Sequence, residues 1–263
     1  MSSSAARALR ILDAVGLAER PLGATEVGRA LGVPAGTAFR GLDALERGGY
    51  LARFQSAAKF VLGKEIAALR QALLARFPIR EVAAPYLRQL AFASGETAAL
   101  TVRLGWHGVR IAAAPGTNEV TSAPAGALRP LGDTAAGRAL LAFLAPDAVT
   151  AYAAWARRRA APRSDARPLA RALAQLHQRG FAVEETAFAR GRAALAFPVR
   201  GAAAAVAAIA IEGPVVDLAR PQSHEHLPHW REIVQSLERL AQTRPELFAG
   251  PFDHLDPGDI VLA

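Results

Sequence analysis

Apolar residues return at helical spacing from the start of the chain: Leu9, Leu12 and Val15, with Ile11 and Leu17 beside them, alternate with Arg7, Arg10 and Asp13. The pattern predicts an amphipathic helix over about 4–19 that Pro21 stops, and it does not read as a signal peptide. A second helix follows in "TEVGRALG", capped by Thr25, with an acid in its first turn and Gly32 as its terminator. Pro34 pre-sets the backbone for a third helix to about Arg47, with Leu42 and Leu45 facing inward and Gly48-Gly49 closing it. The period then drops to two. "YLARF" and "KFVLG", separated by "QSAA", read as a hairpin.

Three helices and a hairpin form the pattern of a winged helix-turn-helix, assigned to 1–63. "KEIAALRQALLARF" restores helical periodicity as a linker helix over 64–77, and a second domain is expected over 78–248, with a tail at 249–263. That domain begins with a helix at about 79–93. "ETAALTVRLGWHGVRIAAAPG" then gives two strands turning at Gly105 to Gly108, and "TAAGRALLAFL" gives a helix after Leu131-Gly132-Asp133. Helices at about 146–159 and 168–179, strands at about 181–185, 193–200 and 204–212, and a closing helix at about 223–243 complete it. Short turns such as "RGAAA" predict an α+β domain with a mostly antiparallel sheet.

The chain has 263 residues, 52% hydrophobic and 21% charged, enough for one large or two ordinary cores. Its net charge is +8, and residues 1–64 hold nine Lys/Arg against five Asp/Glu, so the excess sits toward the front and favours a polyanionic partner. The lack of cysteine excludes disulfides, zinc-thiolate sites and a cysteine nucleophile, and fits a reducing cytoplasm. The most apolar stretch, "AAAAVAAIAIEG", suits a buried strand and is too short to span a bilayer, so no membrane association is expected.

Taken in order, "RALRILDAV", "LGVPAGTAFRGLDALERGGYL", "REVAAPYLRQLAFASGET", "GDTAAGRALLAFL", "LHQRGFAVEE" and "AFPVRG…AAIAIEGP" resemble the IclR family of bacterial transcription regulators across roughly residues 5–245. The resemblance implies a winged helix-turn-helix, a linker helix and a GAF/profilin-like effector-binding domain. It also implies a homodimer or dimer of dimers on double-stranded operator DNA with inverted-repeat character, responding to a small-molecule effector. No cofactor and no metal are expected. DNA contact is expected from Thr25, Ala35, Gly36, Thr37, Phe39 and Arg40, and from Arg53 and Lys59 in the wing. Where relatives often carry Lys-Ser-Thr after the proline, this chain has Ala35-Gly36-Thr37, with Arg40 retained. Small residues there let the backbone approach the duplex and offer helix N-terminal N–H groups to a phosphate. Arg40 reaches either a guanine edge or a phosphate, and Phe39 either packs on a thymine methyl or fills a wedge between helices.

In relatives that bind small oxo-acids, the ligand carboxylate is held near the helix start matching Ala135, Ala136 and Gly137, beside Leu131. Of the facing positions, Glu184 stays acidic, whereas Ala194 stands for a cysteine, and Ala210 and Glu212 for hydroxyl residues. The pocket thus exchanges polar contacts for methyls and gains a second acid, which opposes a buried carboxylate ligand unless one acid is protonated. Three outcomes stay open: a larger, more apolar acid such as an aromatic one, a ligand with a hydroxyl or amine for Glu212, or no ligand. Alternatively, Glu212 points into solvent at the strand's end, beside Gly213-Pro214.

The remaining chemistry is thin. "WARRRAAPRSDARPLAR", residues 155–171, reads as a solvated basic face, and "HEHLPHW" presents His224, His226 and His229 at a helix N-terminus rather than as a metal site. Ser94-Gly95-Glu96 ends a helix, with no nucleophile motif around it. No P-loop and no dinucleotide fingerprint appears. The rival reading is an enzyme that uses the α+β domain for chemistry and the basic N-terminus for docking.

Overall fold

The computed structural model describes residues 4–55, 58–118, 125–159, 167–184, 192–214 and 221–251. The chain divides into two compact units, 1–75 and 76–263.

In the first unit, α1 (Ser4–Gly16) buries Ile11 and Val15, α2 (Ala24–Leu31) buries Val27, and α3 (Ala35–Arg47) buries Ala38 and Leu42. With Leu51 and Phe60 these form one small core, against which Leu12 and Leu45 pack. The helix α2 ends as its glycine predicts: Gly32 lies at φ 65°, and the Val33 N–H donates to the Gly28 carbonyl at 2.9 Å. Its start differs from the expectation. Thr25 is inside the helix and exposed, and Gly23 takes the cap position. The Glu26 carboxylate, at the third helical position, accepts the Gly23 N–H at 2.8 Å, so the cap bond comes from an acid inside the first turn and not from a threonine hydroxyl ahead of it. The wing is β2 (Leu51–Arg53) antiparallel to β3 (Lys59–Leu62). A further strand, β1 (Leu22–Gly23), pairs with β3 on its other side, making three strands in the order β1-β3-β2. The helix α4 (Lys64–Leu74) ends this unit, three residues short of the expected linker helix.

The second unit is built on a six-stranded sheet in the order β6-β5-β4-β9-β8-β7, with every neighbouring pair antiparallel. The strands are β4 (Thr97–Leu104), β5 (His107–Ala114), β6 (Leu128–Pro130), β7 (Ala182–Val183), β8 (Arg192–Arg200) and β9 (Ala205–Pro214). Both faces are covered, so the inner strands are apolar on both sides rather than alternating: Ile209 and Ile211 are as buried as Ala208 and Ala210. The helices α5 (Ile79–Ser94) and α9 (Pro221–Thr243) pack together against one face. The other carries α6 (Ala135–Leu141), entered from a 3-10 turn at Leu131–Asp133. Around α6 lie α7 (Pro146–Arg159) and α8 (Arg167–Arg179), which contribute Tyr152, Leu173 and Leu176 to the same core. Gly137 is required by this packing: a Cβ there would stand 2.2 Å from the Leu131 carbonyl oxygen. Tyr152 secures the 3-10 turn by accepting the Gly132 N–H at 2.6 Å, and burial pushes its phenol above the usual range.

Candidate DNA-reading helix and effector pocket

The start of α3 is exposed and lightly dressed. Pro34 occupies the cap position with no side-chain cap, so the N–H groups of Ala35 and Gly36 have no partner among the described residues. Those of Thr37 and Ala38 turn back to the Pro34 carbonyl at 2.9 and 3.1 Å. A Cβ at Gly36 would meet nothing within 4 Å, so no neighbour among the described residues demands glycine there. One turn on, the Arg40 guanidinium donates to the Thr37 hydroxyl at 3.1 Å, which holds both side chains on the outer face. Phe39 is 44% exposed on the same helix and so is not consumed as a wedge in the core. In the wing the two basic candidates differ. Lys59 is exposed, whereas Arg53 pairs with Glu46 at 3.0 Å and lies over the Phe60 ring at 5.2 Å.

In the second unit, alternation along β9 puts Ala208, Ala210 and Glu212 on the face toward α6. Register extends the row: Glu212 stands between Thr97 of β4 and Ala194 of β8, Ala210 between Ala99 and Ala196, and Ala208 between Thr101 and Pro198. Leu131, Ala135, Ala136, Ala194 and Ala210 belong to one buried cluster there, and Gly137 is buried beside them on α6. The structure therefore brings the residues singled out in sequence onto one sheet face and the helix above it.

Two features of that face change the picture. The Glu184 carboxylate, just past β7, accepts the Ala135 N–H at 3.1 Å, while Thr134 caps the same helix by accepting the Gly137 N–H at 3.0 Å. The anion-accepting end of α6 is thus met by the protein's own carboxylate. Glu212 neither points into solvent nor adds an unpaired acid. It forms an ion pair with Arg110 of β5, the two side chains 14% and 11% exposed. The expected clash between two ionised acids and a ligand carboxylate is corrected accordingly, because one acid is neutralised by a cation and the other by a helix terminus. Sequence reading missed Arg110, which reaches this face because it pairs across with Thr101. It also missed Arg138, whose guanidinium donates to the Gly132 and Val183 carbonyls at 3.0 and 2.6 Å and ties α6 to its entry turn and to β7.

The other expectations fall on the surface. Arg157, Arg158 and Arg159 are exposed at the end of α7, and residues 160–166 lie outside the described part. His226 and His229 are exposed on α9, which runs on through Pro228; the His224 side chain lies outside the described part. Ser94 ends α5 with its hydroxyl on the Leu90 carbonyl at 2.7 Å, before Gly95 at φ 73°.

The family model for the bacterial transcriptional regulator IclR C-terminal domain matches residues 71–239, and that for the IclR helix-turn-helix domain matches residues 4–53. The chain belongs to the IclR family. It is a DNA-binding transcription regulator with a C-terminal effector-binding domain. Among solved structures, an IclR family transcriptional regulator from Brucella abortus is 26% identical with a TM-score of 0.73, covering 91% of this chain and 92% of its own. The IclR of Thermotoga maritima is 22% identical (TM-score 0.67, 89% and 96% covered) and shares the fold. So does an IclR homologue from Microbacterium hydrocarbonoxydans, complexed with 4-hydroxybenzoate (22% identical, TM-score 0.69, 90% and 99% covered). No curated protein matches the chain. Among the described residues, no helix is long and apolar enough to cross a membrane.

Proposed function

We propose that α3 enters the DNA major groove with Thr37 and Arg40 as its polar readers, and that the Ala35 and Gly36 N–H groups clasp a backbone phosphate. The observation that carries this is the open N-terminus of α3, two unpartnered N–H groups beside an exposed, mutually hydrogen-bonded Thr37–Arg40 pair. Lys59 supplies a wing contact, and Arg53 contributes only by giving up Glu46. The test is a gel shift with DNA upstream of the protein's own gene. Saturable binding that survives excess random competitor supports the reading, and binding that competitor removes defeats it.

The regulator acts as a homodimer on an inverted repeat, with half-sites roughly 34 Å apart or a multiple of that. The support is α1, which leaves Leu9 62% exposed after burying Ile11 and Val15. Light scattering that shows a monomer with DNA bound rejects it.

The sheet face beneath α6 takes a small organic acid whose body contacts the alanines of β8 and β9, and aromatic acids are the first class to try. The 4-hydroxybenzoate complex of the Microbacterium homologue points the same way. A thermal-shift panel of aromatic acids, oxo-acids and amines tests it: a rise with pyruvate or glyoxylate alone rejects the apolar-acid reading.

A further inference from the structure

A cavity of 420 Å³ opens elsewhere in the second unit, between the end of α8, the last residues of β8 and the middle of α9. We propose that it is a second small-molecule site, for an organic carboxylate with an apolar body.

The volume falls within the range of small-ligand sites, roughly 300 to 1,000 Å³. Its floor is apolar, formed by Phe143, Leu176, Phe197 and Val234. Its rim is polar, and the charges there do not cancel. Glu238 is fully spent on Arg200: it accepts the backbone N–H at 3.0 Å, Nε at 2.8 Å and Nη2 at 3.3 Å. Arg231 has no such partner. Its guanidinium donates to the neutral carbonyl of Arg179 at 2.6 Å, and no carboxylate meets it among the described residues. One full positive charge therefore faces the cavity, with Gln235 one helical turn along α9 and His177 across from it on α8. The His177 ring is held edge-on to Phe143 at 5.1 Å. The Arg231 cation, the polar Gln235 and His177 side chains and an aromatic floor complement a single carboxylate on an apolar body.

The sheet edge beside the cavity argues against a peptide strand as occupant. Glu184 N–H donates to the Ala194 carbonyl and Arg200 N–H to Glu238, so the even-numbered residues of β8 turn their backbone groups outward. At Pro198 that outward position has no N–H, and at Arg200 it is already bonded, so the edge cannot extend the sheet. The cavity is also distinct from the face beneath α6, yet joined to it. Phe143 lies just beyond the C-terminal end of α6, and Gly180, after α8, leads through β7 to Glu184 at the N-terminal end.

The test follows 4-fluorobenzoate by fluorine NMR with the full chain. Two bound environments are expected. Arg231→Gln should remove one, weakening it at least tenfold, while Glu184→Ala should alter only the other. Gln235→Glu, an exposed helix substitution that places a negative charge at the mouth, should act like Arg231→Gln if the latter disturbs the fold. Loss of the Glu184-sensitive signal alone would defeat the sheet-face reading and leave this one standing. No Arg231-sensitive binding up to about 1 mM, or a bound signal indifferent to both Arg231→Gln and Gln235→Glu, overturns it.

Discussion

Glu184 accepts a hydrogen bond from the backbone N–H of Ala135 at 3.1 Å, and so a side chain of the protein occupies the helix terminus where a ligand carboxylate was expected. An incoming acid must displace Glu184 or bind beside it. Glu184→Ala should therefore tighten binding of 4-hydroxybenzoate, by up to about tenfold if the displaced bond is worth ~1.4 kcal/mol. The same change removes a carboxylate from a helix N-terminus and should lower unfolding free energy by about 1 kcal/mol. Calorimetric titration and urea unfolding of the two proteins read both effects. Weaker binding in the variant would show that Glu184 helps hold the ligand.

Arg110 and Glu212 are joined on the same sheet face, nine-tenths shielded from water or close to it. A pair this enclosed has shed most of its hydration, so removing one partner takes from the other the counter-charge that offsets this loss. Glu212→Ala is expected to cost about 3 kcal/mol, and Arg110→Met with Glu212→Leu much less than the sum of the single changes. A double-mutant cycle in urea measures this, and additive losses would mean that the two side chains do not act as a pair.

How far the sequence went is visible in these residues. Helices with a terminator of their own, such as α2 before Gly32, were legible because the glycine conformation is local. The two-residue strand β1 is too short for any period to reveal, and it exists only because β3 supplies its hydrogen bonds, whereas β7 falls inside the strand expected at about 181–185. The alanines of the sheet face were legible from resemblance, but what neutralises Glu212 was not. Arg110 lies 102 residues away, and only the register of β5 on β4 and β4 on β9 turns both toward α6. The Arg231 cavity was not legible, because the stretches "LHQRG" and "FPVR" that line it stood only as marks of resemblance, and Arg231, Gln235 and Glu238 of α9 meet them only in the fold.

His107 of β5 is buried, with its ring edge-on to Trp155 at 5.2 Å and Nδ1 without a hydrogen-bond partner among the described residues. Burial lowers its pKa first, the Arg159 charge lowers it further, and Asp133 opposes both. The imidazole is thus more easily protonated in the unfolded chain, near pH 6.5, than in the fold. Stability is full above that value and falls as the pH drops through the lower folded pKa. His107→Phe should flatten the decline in melting temperature below about pH 6.5. An unchanged slope between wild type and variant would place the acid sensitivity elsewhere.

Arg40 is the sharper test of the reading helix because its expected effect depends on the DNA. If its guanidinium leaves the Thr37 hydroxyl to bond a guanine edge bidentately, Arg40→Ala should weaken operator binding by about 1 to 3 kcal/mol and random DNA far less. Thr37→Ala removes the 3.1 Å bond that steadies Arg40 and one small polar contact, so a loss of about 1 kcal/mol or less is expected. Gly36→Lys, at a position where a Cβ meets nothing, should tighten operator and random DNA alike, since it adds a phosphate contact without a base contact. Its salt dependence should steepen by close to one unit in the slope of log affinity against log salt. Equal losses on operator and random DNA for Arg40→Ala would mean that Arg40 touches only phosphate, and the reading of bases would then rest on Thr37 and Phe39.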